Sequence, residues 1–369
     1  MRRIMSLFIV FLIPTWISAQ KVTKNPDQPA DARAGRVLQL NKELTVTDEQ
    51  GEFYFKSPKN IQIAPDGSIF LLDEDQFLKF DADGKFLKNL FRIGQGPGEV
   101  EQISDYIFSD GQIAVLQAQP NKIVLMDMQG EFLREIKPDE ACYRLFTFYN
   151  GRYYGAQNSR PQFGKLGDEP KILDITWNFR IASDTGEVEV TDLNFPVTWY
   201  AQRIESAVIA NNIVDFMAFP AQDRYMVISH TQKYLLKLLD LESGQVIREF
   251  SREYARIRMK PDKTGKAEVR PDTFALVPPV DHYNDIQKFF IMEDRIWVMT
   301  STMEKEKGFL VDVFDMAGRY LDNFYLPLQD SIKQAGLARH PLTIHGGCVY
   351  VMEYDADDIP ALVKYRITN

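Results

Sequence analysis

Two kinds of tight turn alternate along the chain, and their number limits what it can fold into more than any other feature. The first kind sits between strand-like runs, at Asp66-Gly67, Asp110-Gly111, Asn150-Gly151, Gln222-Asp223, Glu293-Asp294 and Gly346-Gly347. Asp-Gly and Asn-Gly between alternating apolar runs mark two-residue hairpins, because both central residues of the favoured turn need positive φ. The second kind follows one hairpin later, at 81–84 (DADG), 127–130 (DMQG), 183–186 (SDTG), 241–244 (LESG) and 315–318 (DMAG). A type I turn ending on a left-handed glycine fits each of these. An apolar strand precedes every one (FLKF, KIVLM, WNFRIA, LLKLL, FLVDVF), and another strand follows.

Six turns of the first kind and five of the second leave the last unit one strand short, since the chain ends on ALVKYRITN. The run 36–46 (RVLQLNKELTV) alternates like a strand and has no unit of its own. A spare strand at the start and a gap at the end are how a closed ring of blades protects its edges. The expected fold is therefore all-β: a six-bladed β-propeller over 36–369. Each blade is a four-stranded antiparallel meander, and the N-terminal strand completes the last one. WD repeats do not fit, since no Trp is followed by Asp. Kelch repeats want paired glycines in each blade, and a β-sandwich does not produce strand quartets with a completing terminal strand.

Composition supports a large core: hydrophobic residues make up 45% and aromatic ones 12%, which excludes global disorder. The first 19 residues (MRRIMSLFIVFLIPTWISA) read as an export signal, with a basic start, an apolar run from Leu7 to Ile13 and a small-residue end. That run is shorter than the ~20 residues a membrane span requires. No cysteine follows the expected cut, so a lipid anchor is not expected. Residues 20–35, polar and without periodicity, read as a flexible leader. Loss of Arg2 and Arg3 takes the formal charge from −9 to −11. With no clustered basic face, nucleic acid and anionic membrane are excluded as expected partners. Cys142 and Cys348 fall in the third and sixth units, too far apart around a ring to bridge, and read as buried thiols.

The stretch Pro58–Phe86 (PKNIQIAPDGSIFLLDEDQFLKFDADGKF) resembles an NHL-type repeat. The segment Arg92–Glu99 (RIGQGPGE) is similar to the GxGPGE signature of the secreted six-bladed, NHL-like or TolB-like propellers abundant in Bacteroidetes. The resemblance is good over 37–136 and thin afterwards. It implies the propeller fold and export, and little about activity. As a phosphate cradle GQGPGE fails, lacking a Gly-Lys-Ser/Thr ending and a following helix; as a glycine-rich crossover between blades it fits.

Propeller ligands gather where the long loops meet the channel. The long segments here are 92–104, 194–214, 251–284 and 328–340 between blades, and 156–174, 300–308 and 353–361 within them. A polar residue opens the first strand of each blade: Asn60, Asp105, Arg144, Asp215, Asp285 and His340. The oxygens of Asn60, Asp105, Asp215 and Asp285 could hold Ca²⁺, the arrangement used by metal-dependent lactonases of this architecture; the plainer reading is a hydrated channel. Trp199 and Tyr200, with Phe195, would suit stacking on a sugar ring if exposed. His230 and His282 could reach the same face. Neither shows zinc-site spacing, and no Gly-x-Ser-x-Gly elbow exists. The acidic loop 353–360 (EYDADDIP) reads as solvated, and the locally basic insert 251–283 as a long β-excursion or a lid. The expected function is an exported, soluble, monomeric binding module for a protein or carbohydrate, periplasmic or extracellular. The alternative is a propeller enzyme, either a Ca²⁺-dependent lactonase or one acting on polysaccharide.

Overall fold

The run Ile69–Asp73 (IFLLD) is buried at every position. Ile69 and Leu71 enter one apolar cluster with Cys348, Tyr350 and Met352, whereas Phe70 and Leu72 enter another with Tyr106, Val115 and Val124. A strand sends alternate side chains to opposite faces, so one that is apolar on both must lie between two sheets. The same logic repeats around the molecule. Among the described residues, six such clusters each join two neighbouring sheets.

The computed structural model describes residues 22–48, 51–159, 166–167, 169–204, 207–222, 224–259, 280–332 and 340–369; the expected export signal, residues 1–19, lies outside them. Blade 1 comprises Pro58–Ile63, Ile69–Asp73, Gln76–Phe80 and Phe86–Asn89, paired in that order. The first strands of blades 2 to 6 are Asp105–Ser109, Arg144–Tyr149, Phe216–Ala221, Ile286–Met292 and Leu342–His345. Blade 6 supplies three strands, and its fourth is β3 (Gln39–Val46), antiparallel to Pro360–Thr368. The chain is thus a six-bladed propeller closed by its N-terminal strand. No helix of the described residues is long and apolar enough to cross a membrane.

The turns follow their local chemistry. Both residues have positive φ at Asp110-Gly111, Asn150-Gly151 and Gly346-Gly347, and Gln222 and Glu293 take positive φ without glycine. Gly84, Gly130, Gly186, Gly244 and Gly318 are all left-handed. At the first two and the last, an Asp three residues earlier (Asp81, Asp127, Asp315) accepts backbone N–H bonds of 2.8–3.0 Å from within the turn.

Three expectations need correction. The leader, residues 20–35, is not free of structure over its whole length, since β1 (Thr23–Asn25) adds a parallel fifth strand to the outer edge of blade 4; and the run 36–46, expected as one strand of blade 6, is divided, with β2 (Arg36–Val37) adding a parallel fifth strand to blade 5 before β3 begins. Asn25 fixes the first contact, its amide donating to Ser251 and Gly318 carbonyls at 2.9 Å and accepting from the Tyr320 N–H at 3.0 Å. Arg36 fixes the second with a two-pronged bond to Asp322 at 2.9–3.0 Å. Segments of two or three residues held by distant partners carry no periodicity to read.

Blade 3 is also not a simple quartet. Its third and fourth strands, Lys171–Ser183 and Val188–Ile204, extend beyond the second, and Ala207–Val214 pairs with the extension. The segment 194–214, expected as a loop between blades, is therefore largely strand. The third strand runs on for Lys171–Thr176 past its last pairing with Asn158, a projection of about 20 Å at roughly 3.3 Å per residue.

Candidate functional site

At the channel mouth the expected residues are present, and their polar atoms are engaged in holding blades together. Asp105 accepts N–H bonds from Tyr106 at 2.9 Å and from Leu145 of blade 3 at 3.1 Å. Burial pushes its carboxyl up to about 6, against the pull of those amides and of Arg144. Arg144 lies over the Trp177 and Phe216 rings, 4.5 and 5.0 Å from their centroids. It donates to Asp215 at 2.9 Å and to the Phe216 carbonyl of blade 4 at 3.2 Å. Asp215 also accepts from Asn212 at 2.7 Å and from the Phe216 N–H at 2.8 Å. Asp285 is buried and receives Arg256 at 2.9 Å; burial raises its pKa while Arg256 opposes the rise. The Asn60 carbonyl accepts the Tyr106 hydroxyl at 3.4 Å. His340 donates from Nε2 to the Met352 carbonyl at 2.6 Å, and burial lowers its pKa.

The carboxylates of Asp105, Asp215 and Asp285, on which a calcium site would draw, thus already accept hydrogen bonds. Arg144 adds a positive charge beside Asp215. Among the described residues no three His, Cys, Asp or Glu side chains gather as a metal ion requires.

The aromatics expected to stack on sugar are mainly packing residues. Phe195 is buried and stacked on Phe216 at 4.5 Å, and Tyr200 is buried with Ile213, Val214 and Val280; Trp199 is half-buried. His230 holds the blade 3 projection through a 2.8 Å bond from Nε2 to the Pro196 carbonyl, and its buried Nδ1 has no partner. His282 is half-buried and bridges the backbone of Arg258. In the basic insert, Arg252 and Arg256 turn inward onto Asp312 and Asp285. Lys260, Lys263, Lys266 and Arg270 lie outside the described residues. GQGPGE is a self-closed crossover, where the Glu99 carboxylate accepts the Gly96 N–H at 2.9 Å. The acidic loop is likewise closed on itself, with Asp355 accepting the N–H groups of Asp357 and Ile359 at 2.9 Å.

What the channel mouth lacks, the seam between blades 5 and 6 provides. Two adjoining cavities of about 400 and 370 Å³ meet at Asp330 on the long-loop face. The first is bounded by Met303, Lys305, Glu306 and Gln329, and the second by Ser331, Glu353, Tyr354 and Tyr365 over an apolar base of Leu40 and Leu328. Tyr354 is 46% exposed, its ring edge-on to His340 at 6.2 Å. Glu353 is fixed by the hydroxyls of Ser331 at 2.5 Å and Tyr365 at 2.6 Å, and by Lys42 at 3.2 Å. Burial pushes the Glu353 carboxyl up, but those three donors outweigh it and hold it below the usual carboxylate range. Among the described residues, the buried side-chain oxygen of Gln329 has no hydrogen-bond partner. The segments 300–308 and 353–361, with the start of the expected loop 328–340, mark this address in the sequence. Nothing local brings Gln329 and Asp330 to Tyr354 and Tyr365, because the first pair follows the last strand of blade 5 and the tyrosines belong to blade 6.

No curated protein matches the chain. Among solved structures, it is similar to a candidate exported protein of Bacteroides fragilis, with 13% identity, coverage of 94% of this chain and 99% of that one, and a TM-score of 0.48. It is also similar to a DUF4221 family member of Bacteroides vulgatus, with 12% identity, coverage of 90% and 99%, and a TM-score of 0.53, a likeness of fold. Residues 45–166 match the family model DUF5128, described as a 6-bladed beta-propeller, which agrees with the blade count reached from the turns and the sheets.

Proposed function

We propose that this chain is an exported binding propeller without catalytic activity, and that it seats a carbohydrate in the groove between blades 5 and 6. The observation that carries this reading is the chemistry of the groove. An exposed tyrosine, Tyr354, stands beside Glu353, Ser331 and Tyr365, polar groups already fixed in place by one another. Sugars present C–H faces that pack on aromatic rings and hydroxyls that donate to fixed acceptors, so a concave site needs only a few convergent polar groups to orient them.

The state of Glu353 supports binding over hydrolysis. A general acid for glycoside cleavage needs a raised pKa, whereas Glu353 is held below its ordinary range by three donors. Export rests on the character of residues 1–19.

Calorimetry on the chain from residue 20 onward, against a panel of neutral and charged oligosaccharides, tests the reading. Binding is expected for at least one member, with Tyr354→Ala weakening it tenfold or more. Binding that is untouched by Tyr354→Ala but lost with Arg144→Met would move the site to the channel mouth and overturn the assignment.

A further inference from the structure

The N-terminal strand that closes the ring also builds part of the groove. Leu40, at the base of the second cavity, belongs to β3. Two residues on, Lys42 donates to Glu353 at 3.2 Å and holds its ammonium 5.4 Å from the centre of the Tyr365 ring. Tyr365 donates to Glu353 at 2.6 Å, and Ser331, which follows the last strand of blade 5, at 2.5 Å. Glu353 thus gathers donors from separate stretches of chain, and the closing strand is one of them.

A single extra residue aims that strand into the groove. Leu44 stands opposite Lys364 in the register, yet Lys42 stands opposite Tyr365 and Leu40 opposite Ile367, so Glu43 is bulged out between them. Alternate side chains of a strand go to opposite faces, and directly opposed residues share a face. An unbroken register would therefore keep Leu40, Lys42 and Leu44 on one side of the blade. With the bulge, Leu44 and Val46 pack toward blade 1 with Ile61 and Phe80, whereas Leu40 packs toward blade 5 with Leu328. Re-aiming side chains beside a site is a recurrent use of such bulges. Glu43 is itself tied down by Arg366 at 2.9 Å and Lys364 at 3.3 Å.

Resting on the groove as the binding site, we infer that ligand binding and ring closure are linked, with Lys42 of the closing strand as a positioning residue for Glu353 and Tyr365. A ring opened at β3 lacks the Leu40 floor and the cation that orients both partners, so the closed ring is the state that binds. A ligand that binds one state and not the other shifts the balance by a factor of one plus its concentration over Kd. At a hundred times its Kd it lowers the open population about a hundredfold. The bound sugar is thus a latch across β3, blade 6 and the segment that leaves blade 5.

Hydrogen exchange read by mass spectrometry reports on β3 directly. With the tightest-binding oligosaccharide of the panel near saturation, the amides of Gln39–Val46 are expected to exchange roughly tenfold to a hundredfold more slowly. Those of Phe132–Ile136, the outer strand of blade 2, are expected to stay unchanged. Lys42→Met should weaken that sugar by roughly tenfold or more and remove most of the slowing; Lys42→Arg, which keeps the charge and the donors, should restore both. Lys364→Met breaks an ion pair between the same two strands on the other face and should leave affinity unchanged. The Lys42–Glu353 pair is partly exposed, and such pairs add little to stability, so Lys42→Met should melt with the wild type. Full affinity in Lys42→Met, equal losses in Lys42→Met and Lys364→Met, or equal slowing along the whole chain overturns the linkage. The groove still stands as the site in those cases if Tyr354→Ala weakens binding. No binding by any member of the panel overturns both.

Discussion

Asp105 shows how a residue that looks like a ligand serves as a joint. Its two oxygens receive an amide from its own blade and one from the next, which leaves it in place to tie first strands together rather than to meet a cation. The arrangement has a pH signature. Burial raises the folded-state pKa to about 6 from an ordinary value of 3.8. Between those values the folded protein holds a proton that the unfolded chain has released, so this site lowers stability as pH rises from 4 to 6 and restores it on acidification. A rise of that size corresponds to about 3 kcal/mol at most. Against Asp105→Asn, the wild type is expected to lose relative stability across that window in denaturant melts; a constant offset at pH 4 and pH 7 would show that the carboxyl titrates normally. The two thiols make a second residue-scale prediction. Burial pushes Cys142 up to about 12 and raises Cys348 as well, and both are unbridged. Only the thiolate reacts, so neither should label with a disulfide reagent in the native protein and both should label in denaturant. One labelled thiol or none after unfolding without reductant would contradict this.

Elements differ in how far they can be read from residues near one another. The crossover GQGPGE was legible because its chemistry is local: Glu99 caps the turn it belongs to, and Gly98 takes a φ of +76° that only glycine adopts without strain. A Cβ at Gly98 would lie 2.9 Å from the Phe132 side chain. Gly98→Ala is expected to destabilise the protein by about 2 kcal/mol, combining left-handed strain with a displaced ring. A melt within experimental error of the wild type would mean that the crossover relaxes freely. The hairpin turns were legible for the same reason. β1 was not, because Asn25 bonds to partners 226 and 293 residues away, and an isolated Lys-Asn pair carries no trace of that. The groove falls between these cases. Its loops could be located from turn spacing, but the convergence of Gln329, Asp330 and Tyr354 depends on how two blades dock, which no single window of sequence contains. The aromatic run at 195–200 misled in the opposite direction, since exposure is decided by the strand extension of blade 3 and not by residue type.

At the scale of the whole ring, the N-terminal segment has more to hold than a single closing strand requires. It passes along the outer edge of blade 4, then blade 5, and finally enters blade 6 as β3. Asn25 links the outer strand of blade 4 to the turn and last strand of blade 5, the same interface that buries Asp312 between Arg252 and the hydroxyls of Tyr234 and Tyr320. Ring closure and strapping are therefore separable. Removal of residues 20–30 takes away β1 and leaves β3, so the ring should still close but with the blade 4–5 seam weakened. Three side-chain hydrogen bonds at about 1 kcal/mol each suggest a loss of about 3 kcal/mol, and Asn25→Ala alone should account for most of it. Removal of residues 20–46 takes away β3 and exposes the edge of Pro360–Thr368, together with the apolar faces of Leu362 and Val363. An open edge beside an uncovered core favours association, so this truncation is expected to lose cooperative unfolding and to aggregate. Limited proteolysis and thermal melts of the two truncations, side by side, distinguish the roles. Similar behaviour of the two would mean that the strap, and not the closing strand, sets the stability of the ring.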